Sequence, residues 1–93
     1  MPRETVTIRT LSRSEIASWL EEHGDIIVTV RDSLNAGYCV NGVMRWYDSY
    51  GIDRRYAVKN GMSAKWGFEK NDPQADRSIC AAIARHNMKG VKP

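Results

Sequence analysis

Cys39, Cys80, His23 and His86 are the side chains of this sequence best suited to hold a soft metal, or to supply a nucleophile and its base. A tetrahedral zinc site usually draws on close pairs such as C-x-x-C or H-x-x-x-H, and neither spacing occurs. His23 completes the apolar face begun by Ile16, Trp19 and Leu20, which reads as a partly buried packing role. A catalytic thiolate at Cys39 with His86 as base needs an electropositive setting and an oriented imidazole, and the sequence displays neither. Among the carboxylates, Asp48 and Asp53 bracket a Tyr-Gly-Ile turn, and Asp72 and Asp76 fall one helical turn apart. The latter pair suits a hard cation in principle, but both positions are where a helix start favours negative charge. None of the seven glycines falls in a G-x-G-x-x-G or G-x-x-x-x-G-K-[ST] arrangement that cradles phosphates. The expectation is a non-enzyme with no metal and no cofactor.

Binding chemistry is better represented. Tyr38, Trp46, Tyr47, Tyr50, Tyr56, Trp66 and Phe68 gather in one stretch, and Tyr, Trp and Arg are the residues that dominate binding hot spots. Trp46, Tyr50, Arg54, Arg55, Tyr56 and Lys59 cluster around the Gly51 turn and form the candidate partner-binding surface. The same stretch admits a second reading, a helix-turn-helix-like pair at 40–60 with Arg54, Arg55 and Lys59 meeting phosphates or base edges. Against it, Tyr47 places a bulky ring where two crossed helices need a small one.

The charge pattern fits either reading. Up to Arg31 there are four basic and five acidic residues; from Asp32 onward there are ten and six. The excess lies in Arg54, Arg55, Lys59, Lys65, Arg85, Lys89 and Lys92, and a pI near 9.1 permits attraction to nucleic acid or to an acidic protein. A dedicated nucleic-acid binder needs a denser stripe, one cation per neutralised phosphate.

The elements that must position these residues are legible from periodicity and caps. Thr5–Thr10 alternates as a half-buried strand. Ser12 and Glu15 have capping-box spacing before a helix that Gly24 ends. Ile26–Val30 reads as a second strand, with a crossover long enough for parallel pairing. Asp32 is placed to cap a turn through Ala36. Val40, Val43, Met44 and Tyr47 mark a helix face beside the pair Trp46 and Tyr50, and Gly51-Ile52 supplies its stop. Asp53 caps a helix over 54–59, Ser63 one through Phe68, and Asp72-Pro73 starts the last, which carries Ile79, Cys80, Ala82, Ile83 and Ala84. With 93 residues and 42% hydrophobic content, one domain is expected. Its class is α+β: a strand-helix-strand element (1–31), then a cluster of four short helices (32–89). No apolar run approaches the ~20 residues of a membrane span, and Met1–Thr5 leads into a strand-like pattern rather than an apolar signal core. Two cysteines make no disulfide scaffold, so a cytoplasmic setting is expected.

From Asp32-Ser33-Leu34-Asn35-Ala36-Gly37-Tyr38-Cys39 the chain runs to Gly42, Arg45-Trp46-Tyr47, Tyr50-Gly51-Ile52-Asp53 and Val58-Lys59-Asn60-Gly61-Met62-Ser63-Ala64, then Asp72 and Ala75. This order resembles a family of small uncharacterised proteins of tailed bacteriophages and prophages. That family shares an Ala-Gly-x-Cys turn, a glycine, an aromatic helix ending in Gly-Leu/Ile-Asp, and a Gly-Ile/Met turn before an Asp-capped last helix. The resemblance spans residues 30–86. The chain departs from it in Phe68-Glu69-Lys70-Asn71, where relatives carry a more aliphatic turn with Thr-Gly. The resemblance implies a phage or prophage origin and a bacterial host cytoplasm, with virion association open. It also implies action by docking on a host or phage protein, in virion assembly or in anti-CRISPR-like inhibition of host defence. A homodimer through a β edge at Ile26–Val30 is compatible with either role.

Overall fold

The computed structural model of the chain describes residues 9–89. Helix α1 (Arg13–His23) starts at Ser12, whose Oγ accepts from the Glu15 N–H while Glu15 accepts from the Ser12 N–H at 2.9 Å. Its apolar stripe buries Ile16 and Leu20, and Gly24, at φ +83°, ends it by donating to the Leu20 carbonyl. Strand β1 (Ile27–Val28) follows, then α2 (Val30–Asn35) and α3 (Val40–Ser49). Next come α4 (Arg54–Asn60), β2 (Met62–Ser63), α5 (Ala64–Phe68) and α6 (Pro73–Lys89).

The α+β class holds in a helix-dominated form. The two-stranded sheet pairs Ile27 with Ser63 and Val28 with Met62, antiparallel. Of the expected strand-helix-strand element, the described residues contain the helix and a shortened second strand. The first strand, Thr5–Thr10, lies mostly outside the described residues, and Arg9 and Thr10 are not in a strand. The second shrinks from Ile26–Val30 to two residues because Thr29 and Asp32 form a capping box: the Thr29 N–H donates to Asp32 at 2.8 Å, and helix begins at Val30. Asp32 is thus the third residue of α2 rather than its cap. The four-short-helix cluster is also revised, since α6 alone runs 17 residues.

Two apolar clusters make the core. Ile16, Leu20, Val28, Ala64, Ile79, Cys80, Ala82 and Ile83 form one, and Val43, Trp46, Tyr47, Ala57 and Ala75 the other. Met62 packs against both. Ile16, Leu20 and Val28, all before Asp32, are therefore integral to the core. Arg13 reinforces this: it holds Asp76 at 2.6 Å and the Phe68 carbonyl at 2.7 Å, with its guanidinium 3.9 Å over the Phe68 ring. Asp25 gathers the β2–α5 junction, accepting from the Ser63 hydroxyl and, at 3.0 Å, from the Lys65 N–H.

Candidate partner-docking surface

The end of α3 decides which aromatic rings face inward. Val43, Trp46 and Tyr47 are buried on one face. The chain leaves the helix through Gly51, at φ +70°, and the Ile52 N–H folds back to the Tyr47 carbonyl at 2.9 Å. Asp53 then caps α4 by accepting from the Arg55 N–H at 2.9 Å.

α4 is the least embedded helix of this region. Of its seven residues only Ala57 is buried, while Tyr56 and Val58 are 62% and 58% exposed. Large apolar side chains left in water on one short helix are the feature that burial on a partner would remove. Ile27 is a further exposed apolar side chain near the end of the helix: it is 48% exposed and lies against Gly61, the residue that ends α4.

The predicted surface residues divide. Tyr56, Arg55 and Lys59 are exposed on α4, the two cations one helical turn apart and in no ion pair among the described residues. Arg54 is exposed but neutralised: its Nε donates to Asp48 at 2.9 Å. That hydrogen bond holds the Asp48 carboxyl below its usual range and raises the guanidinium in turn. Tyr50 is at the margin, 36% exposed, with its hydroxyl donating to Asp72 at 3.0 Å, which pushes the phenol upward.

Trp46 is the correction. It is buried, and its Nε1–H donates to the same Asp72 oxygen at 2.9 Å, so it is core rather than surface. Asp72 also caps α6 by accepting from the Gln74 N–H. Partial burial raises this carboxyl, but the bonds from Trp46, Gln74 and Tyr50 prevail and hold it below the ordinary carboxylate value. Val58 and Ile27 were missed as surface residues. The available signal was that a seven-residue helix with one alanine as its inward residue must expose its other apolar side chains.

The remaining candidates are dispersed. Cys80 is buried in the first cluster, where burial pushes its thiol upward, away from reactivity. Cys39 is exposed and caps α3 through Sγ. His23 is exposed rather than core, stacked 4.1 Å from Trp19, and His86 meets the same indole edge-on. Among the described residues no three His, Cys, Asp or Glu side chains group to hold a metal ion. None of the described helices is long and apolar enough to cross a membrane. The β edge considered for dimerisation is two residues long, and its Ile27 carbonyl already accepts from Arg85 at 2.9 Å.

No protein-family model, curated protein or solved structure matches the chain.

Proposed function

We propose that this chain is a non-enzymatic accessory protein of phage or prophage origin that works by protein–protein contact through α4. The phage origin rests on the residue pattern from Asp32 to Ala75; the roles in view are virion assembly and inhibition of host defence. The observation that carries the docking reading is the exposure of Tyr56 and Val58 on a helix that buries only Ala57. Arg55 and Lys59, one helical turn apart, lie between these two side chains around the helix and favour a partner that carries acidic groups.

A photo-crosslinking residue placed at Tyr56, with the same residue at exposed Glu21 on α1 as control, tests this in lysates of phage-infected and uninfected cells. The expected result is a discrete protein adduct from position 56 that position 21 does not give, and that Val58→Asp removes. Identical adducts from both positions, or none from either lysate, reject the reading.

Nucleic-acid binding is the second reading, favoured by Arg55 and Lys59 lying one turn apart with no carboxylate partner among the described residues. It requires a salt-dependent gel shift that Arg55→Glu with Lys59→Glu abolishes. Arg54 adds little to it, being already neutralised by Asp48.

A further inference from the structure

Lys70 sits half-buried in the turn between α5 and α6, beside Glu69 and two residues before the Asp72 carboxylate. Its ammonium joins neither of them, and Lys70 enters no ion pair among the described residues. Nζ lies instead 4.2 Å from the Trp66 ring centroid and 5.9 Å from that of Tyr50. Aromatic faces attract cations through the ring quadrupole, most strongly at Trp. The ammonium thus lies over the rings rather than in an ion pair with either carboxylate.

That site is built rather than incidental. The Tyr50 and Trp66 rings stand 6.1 Å apart at 77°, two walls of a corner, and Trp46 backs both at 4.5 and 6.2 Å. Tyr50 and Trp46 are fixed through their polar ends, both of which donate to one oxygen of Asp72. A phenol that donates to a carboxylate has a more electron-rich ring, and the carboxylate sets a full negative charge behind the corner. The Trp66 ring is held by packing, edge-on to Trp46 at 6.2 Å, while its backbone N–H donates to the Ser63 hydroxyl capping α5. The walls therefore need no rearrangement to receive a cation.

We propose that Tyr50 and Trp66, backed by Asp72, form a binding site for an arginine side chain of a partner protein, which Lys70 closes in the free protein. This deepens the docking reading, on which it rests only for the partner being a protein. Arginine is the better occupant on chemical grounds. A guanidinium is planar, more weakly hydrated than an ammonium, and stacks flat on an indole while its edge N–H groups stay free for water or a carboxylate. An ammonium on a four-carbon stem returns readily to water, so Lys70 can leave without disturbing the rings.

The test titrates N-acetyl-arginine amide into the isotope-labelled full chain and into Lys70→Ala at constant ionic strength, reading the Trp66 and Trp46 indole N–H resonances. N-acetyl-citrulline amide, the neutral isostere, is the control, and Lys70→Gln replaces the alanine variant should the turn be disturbed. The expected result is a saturable shift at Trp66 with arginine and none with citrulline. Binding is expected to be roughly three- to sixfold tighter without Lys70, because occupancy by the resident cation lowers the apparent affinity. An equal response to citrulline, equal affinity with and without Lys70, or no saturable shift overturns the proposal. Because the ligand is a capped amino acid read at Trp66, failure here leaves the crosslinking test at Tyr56 intact, and the converse holds.

Discussion

Arg85 grips the carboxylate of Asp32 with two N–H groups, Nε to Oδ1 at 2.9 Å and Nη2 to Oδ2 at 3.1 Å. Asp32 is fully buried, whereas the Arg85 side chain keeps 32% of its surface in water. The same guanidinium donates to the Ile27 carbonyl, so one side chain of α6 ties together β1, the start of α2 and the last helix.

Among the described residues, removing Arg85 leaves that carboxylate with only the Thr29 N–H and hydroxyl as donors. An ion left buried without its partner costs far more than the intact pair contributes. Arg85→Ala is therefore expected to lower unfolding free energy by on the order of 3 kcal/mol in urea. The double variant with Asp32→Asn should lose clearly less than the two single losses added together, since the uncompensated charge is gone. Additive losses would show that the two residues act independently.

Asp72 gives the protein an acid-sensitive joint. Its folded-state carboxyl lies below the ordinary aspartate value, so its contribution is complete above that value and is lost as pH falls through the lower, folded one. Wild type and Asp72→Asn should differ most at neutral pH and converge on acidification below about pH 4. Chemical denaturation at a series of pH values reads the gap directly. A gap that stays constant with pH would mean that the charge on Asp72 contributes nothing.

The caps were the most legible part of the fold, because a cap acts within four residues of itself: Ser12 with Glu15, Asp53, Ser63, and Asp72 with Pro73 all start helices where the sequence places them. The strand over Ile26–Val30 failed for the same reason. A local capping box, Thr29 to Asp32, overrode the β-branched run. What remained illegible is non-local. Trp46 becomes core because Asp72, distant in sequence, receives its indole N–H, and β1 pairs with Met62–Ser63, which lies far along the chain. The candidate surface was half legible: residue types and the Gly51 turn identified Tyr56, Arg55 and Lys59, but only packing separates them from Trp46.

Two glycines in the left-handed region offer a matched comparison. Gly51, at φ +70°, has open space where a Cβ would be built, so Gly51→Ala carries backbone strain alone, about 1 kcal/mol. Gly61, at φ +74°, would drive a Cβ into the Ile27 side chain and to 2.8 Å from the Val28 carbonyl oxygen. Gly61→Ala should therefore cost at least ~2 kcal/mol, strain and overlap together, and separate β1 from β2. Thermal melts of the two variants side by side test the ranking, and equal losses would mean that β1 yields freely at that contact.

The docking reading makes a demand on stability as well as on binding. A side chain retained for a partner contributes little to the free protein, so replacing it should be nearly silent until the partner is present. Tyr56→Ser and Val58→Ser, both at positions more than half exposed, are expected to change unfolding free energy by less than about 0.5 kcal/mol. Trp46→Ala, by contrast, empties the second cluster and removes a donor from Asp72, and should cost ~3–5 kcal/mol. If the serine variants instead destabilise the chain by a kilocalorie or more, Tyr56 and Val58 hold α4 in place. Their exposure is then a cost of folding rather than a surface kept for another protein.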